Sequence, residues 1–214
     1  ASTSEMFGTS KPPQSEKTVF QPASPYGSAK LYGYWITKNY RDAYDIFASN
    51  GILFNHEGPL RGETFVTKKI TIAAAKISKG MQKKLYLGNL NAKRDWGDAR
   101  DFVEGMWKIL QHPKPDDFVL ATGKSFTVRR FVELAFKEVN INIRWRGKGL
   151  NEVGYNSSNK KTIIEIDKRY FRPNEVDFLQ GNYAKSKKLL DWKPKITLNQ
   201  MIKDMIAHDL KNID

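Results

Sequence analysis

Residues 24–35 read SPYGSAKLYGYW, and their reading decides the fold. Ser24 offers a hydroxyl that can accept from free N–H groups, and Pro25 brings the fixed φ of a first helical position, so a helix starts here. Tyr26 and Lys30 then lie four residues apart on one face of that helix, within reach of the same small molecule. A free tyrosine, with a pKa near ~10, is too weakly acidic to act as a base at neutral pH. A nearby ammonium favours the phenolate. A Tyr-x-x-x-Lys pair can therefore take a proton from a sugar or alcohol hydroxyl. Taken alone, the same spacing also occurs as an ordinary surface pair.

Upstream, ASTSEMFG (1–8) reads as the end of a small-residue strand with Thr3, Ser4 and Glu5 at its tip. Thr3 can hydrogen-bond the hydroxyl that Tyr26 would deprotonate, and Glu5 adds a carboxylate able to remove a carbon-bound proton. Between them, TSKPPQSEKTVFQPA (9–23) is rich in Pro and Ser and reads as a loop. Downstream, GILFN (51–55), KLYLGN (84–89), DFVLATG (117–123), INIRW (141–145) and TIIEID (162–167) read as strands. Helical spacing follows at Val66, Ile70, Ala73 and Ile77, with Gly80 as the stop. A second helix begins near Asp98, with Val103, Met106, Trp107 and Leu110 on one face. A third runs from Thr127 to about Glu138, and two more lie near 183–191 and 198–212. LNEVGYNSSNKK (150–161) reads as a polar loop. Trp35, Trp96 and Trp107 are expected in the core. Strands alternating with helices predict an α/β fold with largely parallel strands. No G-x-G-x-x-G or G-x-x-G-x-x-G fingerprint follows any strand.

The chain has 214 residues, 40% of them hydrophobic, enough for one domain or two small ones with a real core. With no cysteine, disulfides and thiolate metal sites are excluded. His56, His112 and His208 are far apart, without ligand spacing, so no metal site is predicted. No apolar run approaches the ~18 residues of a membrane span. No signal peptide is visible, and a cytoplasmic location is expected. The net charge of +13 suits polyanionic partners such as nucleic acid, a membrane surface or phosphorylated small molecules. Most of the lysines are dispersed as pairs, the pattern of a solvated surface. No aromatic–basic stripe supports nucleic-acid binding.

Thr, Ser, Tyr and Lys in this arrangement resemble the extended short-chain dehydrogenase/reductases, which act on nucleotide sugars with a bound nicotinamide cofactor. The resemblance becomes specific in ASTSE (1–5), SPYGSAKLYGYWITKNYRDAY (24–44), NGILFNHEGPLRGETFVTKKIT (50–71), LYLGNLNAKRDWGDARDFV (85–103), DFVLATG (117–123), YFRPNEVDFLQGN (170–182) and LDWKPKITL (190–198). Together these are similar to the GDP-mannose 4,6-dehydratase family, over about residues 1–210 and most weakly at 147–162.

The resemblance implies the second half of a Rossmann-type parallel sheet domain with a smaller α/β substrate-binding domain. Residues 1–55 and about 96–122 would form the cofactor side, and about 56–95 and 123–214 the nucleotide-sugar side. It implies that an N-terminal half carrying the glycine fingerprint exists, in the same chain or as a separate one. Thr3, Glu5, Tyr26 and Lys30 would be catalytic. Tyr26, Lys30, Asn55, His56 and Arg61 would bind NADP, with NAD not excluded. Ser4, Asn55, Lys69, Arg94, Arg172 and Glu175 would bind the GDP-sugar substrate, and the assembly would be a homodimer or homotetramer. Two residues depart from the family pattern: Asp98 stands where histidine is usual, and Leu60 where an arginine is common. Other readings remain: an epimerase or decarboxylase sharing Tyr26 and Lys30, or a partial subunit that binds nucleotide sugar without doing chemistry.

Overall fold

A parallel strand reaches its neighbour only through a crossover, and the three-stranded parallel sheet of this chain is joined through helices. The computed structural model describes residues 1–170 and 176–213. Its strands are β1 (Ser2–Thr3), β2 (Asn50–Leu53), β3 (Asn55–Glu57), β4 (Leu85–Leu87), β5 (Lys93–Arg94), β6 (Trp96–Asp98), β7 (Asp117–Leu120), β8 (Phe126–Thr127), β9 (Ile143–Arg146), β10 (Val153–Asn156) and β11 (Thr162–Ile166). Its α-helices are α1 (Pro25–Tyr44), α2 (Val66–Ser78), α3 (Ala99–Gln111), α4 (Val128–Lys137), α5 (Ala184–Leu190) and α6 (Leu198–Asn212). Two compact units emerge: Ala1–His56 with Lys93–Phe126 and Asn174–Thr197, and Glu57–Ala92 with Thr127–Pro173 and Leu198–Asp214.

In the first unit β1, β2 and β7 form a parallel sheet in that order. Helix α1 packs on β1 and β2, α3 on β2 and β7, and α5 on β7. The core gathers Met6, Phe7, Ile52, Phe54, Phe102, Phe118, Leu179 and Trp192, all buried. Each such side chain contributes roughly 1.5–3 kcal/mol on leaving water. Segment 174–197 belongs to this unit, although the sequence reading grouped it with the substrate side. The reason is Trp192, whose indole N–H donates to the Asp101 carbonyl at 2.8 Å, and Ser186, whose hydroxyl donates to the Val119 carbonyl at 2.6 Å. The loop 9–23 is also tied in: buried Gln14 bonds Gln180 through both its backbone and its side chain, and its carbonyl accepts from Asn182 N at 2.7 Å.

In the second unit the sheet order is β4-β11-β10-β9, packed with α2, α4 and α6. β11 pairs with β4 in parallel, while β9, β10 and β11 are antiparallel, a departure from the largely parallel expectation. β10 itself lies in the stretch read as a polar loop. A Cβ at Gly154 would stand 2.9 Å from Ile164 and 3.0 Å from Trp145, so glycine lets β10 slide beneath its two neighbours' side chains. A strand glycine at such a close approach breaks the apolar alternation by which strands are read. Buried Lys68 forms an ion pair with buried Asp209 and donates to the Pro59 carbonyl at 2.7 Å, joining α2 to α6.

Two tryptophans depart from expectation. Trp96 is buried, but Trp35 is 52% and Trp107 60% exposed, each on the outer face of its helix. Among the described residues, no helix is long and apolar enough to cross a membrane.

Helix α1 buries only Gly27 and Tyr34. Its attachment is polar: Tyr34 Oη donates to Asp117 Oδ2 at 2.8 Å, and Arg41 Nη1 to Oδ1 at 3.0 Å. Asn50, opposite Asp117 in the β2–β7 register, adds its side-chain amide at 3.0 Å. Burial works against the ionised carboxylate, and the bonds from Arg41, Asn50 and Tyr34 outweigh it, holding Asp117 below the ordinary carboxylate range. Burial, with Asp117, raises the Tyr34 pKa well above a free phenol's. Asp117→Asn is therefore expected to cost about 3–5 kcal/mol, because the nearly buried Arg41 loses its counter-charge. Urea denaturation at neutral pH measures this. Because the folded pKa is depressed, the contribution is present above ordinary carboxylate values and is lost as pH falls through the folded value. The variant should lack that part of the acid-side loss.

Candidate active site

Thr3, Leu53 and Leu120 form one row across the parallel sheet of the first unit. Two residues past that row, the three chains reach Glu5, Asn55 and Thr122, all at the carboxyl edge where open α/β sheets bind ligands. Thr3 Oγ1 accepts from Glu5 N at 3.3 Å and caps the 3-10 turn Ser4–Met6. Ser4 is buried within this turn, and Glu5 is half-buried.

Helix α1 begins as its sequence predicts, with Ser24 Oγ accepting from Gly27 N at 3.0 Å and Pro25 in the first turn. A Cβ at Gly27 would stand 2.7 Å from the Glu5 carbonyl oxygen. The first turn of α1 therefore lies directly against the turn carrying Glu5, and Tyr26 emerges beside that contact, exposed. Lys30 Nζ donates to the Ala1 carbonyl at 3.1 Å and sits 6.0 Å from the centre of the Tyr26 ring. Thr3, Ser4, Glu5, Tyr26 and Lys30 thus share one corner of the first unit.

Asn55 and His56 follow β2. The Asn55 side-chain oxygen is buried with no hydrogen-bond partner among the described residues. His56 Nδ1 lies 2.9 Å from the Phe54 carbonyl, so this nitrogen carries the proton, and the ring stacks on Phe102 at 5.1 Å. Half-buried Arg94 donates from Nη1 to the Lys93 carbonyl at 3.0 Å. In the second unit, Arg61 pairs with Glu57 at 3.0 Å and lies 3.5 Å over the Phe65 ring. Burial pushes the Glu57 carboxyl up, against the opposing pull of Arg61 and of Thr67, whose hydroxyl donates to it at 2.6 Å. Lys69 Nζ sits 3.5 Å over the Tyr170 ring. Arg172 and Glu175 lie outside the described residues.

The departures have distinct consequences. Asp98 accepts from Arg100 N at 2.9 Å as the N-cap of α3, and both its oxygens bind the Arg100 guanidinium at 2.8 Å. It is 1% exposed, committed to helix and ion pair. Leu60 is 90% exposed, so the fold requires nothing of it. Sequence reading did not single out Asp95. Its carboxylate accepts from Thr122 N (2.8 Å), Thr122 Oγ1 (2.5 Å), Gly123 N (2.9 Å) and Gly181 N (3.1 Å). Burial pushes its pKa up, and these bonds pull it back. The only sequence signal was its place inside RDWG, since its partners come from distant segments.

The family model for GDP-mannose 4,6-dehydratase matches residues 1–205. The chain is 56% identical over its whole length to a GDP-mannose 4,6-dehydratase of Dictyostelium discoideum, covering 60% of that protein. It is 51% identical over 99% of its length to one of Homo sapiens, covering 57% of it. The chain thus spans somewhat over half the length of the curated relatives it matches. Among solved structures, RMD from Pseudomonas aeruginosa, complexed with NADPH, superposes with a TM-score of 0.82 at 19% identity, covering 99% of this chain and 65% of that one. The dTDP-glucose 4,6-dehydratase of Bacillus anthracis, in complex with NAD, superposes with a TM-score of 0.78 at 21% identity, covering 99% and 60%. At such identities the superpositions report the fold.

The carboxyl edge is packed tightly enough to test. A Cβ at Gly181 would stand 2.2 Å from Ala121 Cβ and 2.8 Å from the Phe54 ring. Gly181→Ala should therefore destabilise the protein by about 1–3 kcal/mol, the usual range for overpacking. A lowered urea midpoint with unchanged slope is the expected result.

Proposed function

Because the chain belongs to the GDP-mannose 4,6-dehydratase family, we propose that it carries the catalytic corner and the substrate side of an enzyme converting GDP-mannose to GDP-4-keto-6-deoxymannose and water. The observation that carries the reading is the approach of Gly27 to the Glu5 carbonyl, which sets a Tyr-x-x-x-Lys helix against a Thr-Ser-Glu strand tip. Tyr26 accepts the proton of the sugar C4 hydroxyl, with Thr3 bonding the same oxygen. Glu5 then removes the C5 proton, made acidic by the C4 ketone, as the C6 hydroxyl leaves as water. Ser4 and Asn55 orient the hexose. Arg94, Lys69, Arg172 and Glu175 bind the GDP portion: cations suit a diphosphate, and a carboxylate suits the guanine N–H groups.

The residues present fit a nicotinamide cofactor. The unpartnered, buried Asn55 oxygen at the carboxyl edge calls for a donor, and Lys30 is already held beside Tyr26. Lys30 would hold the cofactor ribose, while His56 and Arg61 shape the rest of the site. When bound, NADP supplies the oxidation at C4 and the matching reduction at C6, so the net reaction needs no outside oxidant. In this reading Tyr26, Lys30, Asn55, His56 and Arg61 take the cofactor, and the enzyme works as a homodimer or homotetramer.

Tyr26→Phe keeps the ring and removes the base, so turnover should fall on the order of 100- to 10,000-fold with GDP-mannose affinity little changed. A fall in steady-state rate below about tenfold would exclude Tyr26 as the base. Glu5→Gln has nearly the same shape but cannot take the C5 proton. That variant should still oxidise C4, release almost no 6-deoxy sugar, and place no deuterium at C5 in heavy water. Deuterium incorporation at the wild-type rate, read by NMR, would assign the elimination to another group.

A further inference from the structure

The carboxyl edge of the first unit holds a buried carboxylate that the proposed reaction does not use. The four bonds to Asp95 all come from neutral donors, on Thr122, Gly123 and Gly181. Burying a carboxylate is costly unless hydrogen bonds compensate it, and here these four do so without a counter-charge. These bonds tie three segments together: the strand end after β5, the loop after β7, and the segment leading to α5. One residue before Arg94, Lys93 exchanges main-chain bonds with the same segment, donating to the Asp177 carbonyl at 2.8 Å and accepting from Leu179 N at 3.2 Å. Arg94 therefore stands between two fixed points, although its strand is only two residues long. A long, flexible guanidinium binds a diphosphate better when its backbone is held in place beforehand.

We propose that Asp95 is a positioning residue: it clamps the backbone on one side of Arg94, as Lys93 is clamped on the other, so that the guanidinium meets the diphosphate of the bound nucleotide. This rests on the reading above that Arg94 binds the nucleotide, and its test keeps the two apart. Asp95→Asn turns one acceptor oxygen into an NH2 group that faces N–H donors.

Affinities for GDP and GMP are measured by calorimetry on the intact protein, for wild type, Asp95→Asn, Arg94→Ala and the double variant. Asp95→Asn should weaken GDP about 10- to 100-fold, the scale of an ångström-sized misplacement. GMP, which lacks the β-phosphate, should be weakened much less. In the Arg94→Ala background the second substitution should add less than about threefold, since coupled residues are not additive. A purely structural role predicts instead equal losses for both nucleotides and full additivity, and either result overturns the proposal. If Asp95→Asn does not fold, Thr122→Ala removes one of the four bonds and is read the same way. It should cause a smaller GDP-selective loss that disappears in the Arg94→Ala background, and unchanged GDP affinity overturns the clamp. If Arg94→Ala itself leaves GDP affinity unchanged, the reading of Arg94 falls, and the clamp falls with it. A loss from Arg94→Ala without one from Asp95→Asn overturns the clamp alone.

Discussion

One carboxylate fixes the element on which the site depends. Helix α1 is 20 residues long and buries only Gly27 and Tyr34, so apolar packing alone leaves it poorly located. Asp117, at the start of β7, binds Tyr34 and Arg41 of that helix together with Asn50 of β2. The helix, the central strand and the neighbouring strand are thereby tied through one buried group. Tyr26 lies eight residues before Tyr34, about 12 Å along the axis, so a tilt at the anchor becomes a displacement at the Tyr26 hydroxyl. The close approach of Gly27 to the Glu5 carbonyl fixes the other end of the same segment. The anchor belongs to the fold and the contact to the site, and the helix converts one into the other.

Signals carried within a few residues were legible in the sequence. Ser24, Asp98 and Thr127 each cap the helix that their position predicted, through bonds to Gly27, Arg100 and Arg130. The strands at 50–53, 117–120 and 162–166 fall within or beside the apolar runs read for them. What escaped depends on distant partners. Asp117 looks like the polar start of an apolar run, and its partners are 83, 76 and 67 residues away. Asp95 meets Gly181 across 86 residues. β10 escaped because its pairing rests on a glycine beneath side chains of β9 and β11. Trp35 and Trp107 were expected in the core, Trp107 on an apolar helix face, but a helix face is buried only if something packs on it, and both side chains are exposed. In the candidate site, the Tyr26–Lys30 spacing and the Thr3–Glu5 tip could be read from residue type. Their convergence needed the parallel pairing of β1 with β2 and the Gly27 contact, neither of which has a local signature.

The commitments of the carboxylates then separate scaffold from chemistry. Asp117, Asp95 and Asp98 are all buried in the first unit, and each spends its oxygens on several donors. A carboxylate so engaged cannot take a proton from carbon without breaking the bonds that hold its segment, so each is a poor base even where it lies near the carboxyl edge. Asp98, one of the two residues read as departing from the family pattern, is excluded on this ground: its cap and its two guanidinium bonds occupy both oxygens. Glu5 is different. Its backbone N–H is held by Thr3 and its carbonyl lies against Gly27, while its side-chain oxygens bind nothing among the described residues. The main chain is fixed against the first turn of α1, and the half-buried carboxylate is left open. The role proposed for Glu5, taking a proton from a substrate carbon, requires that combination.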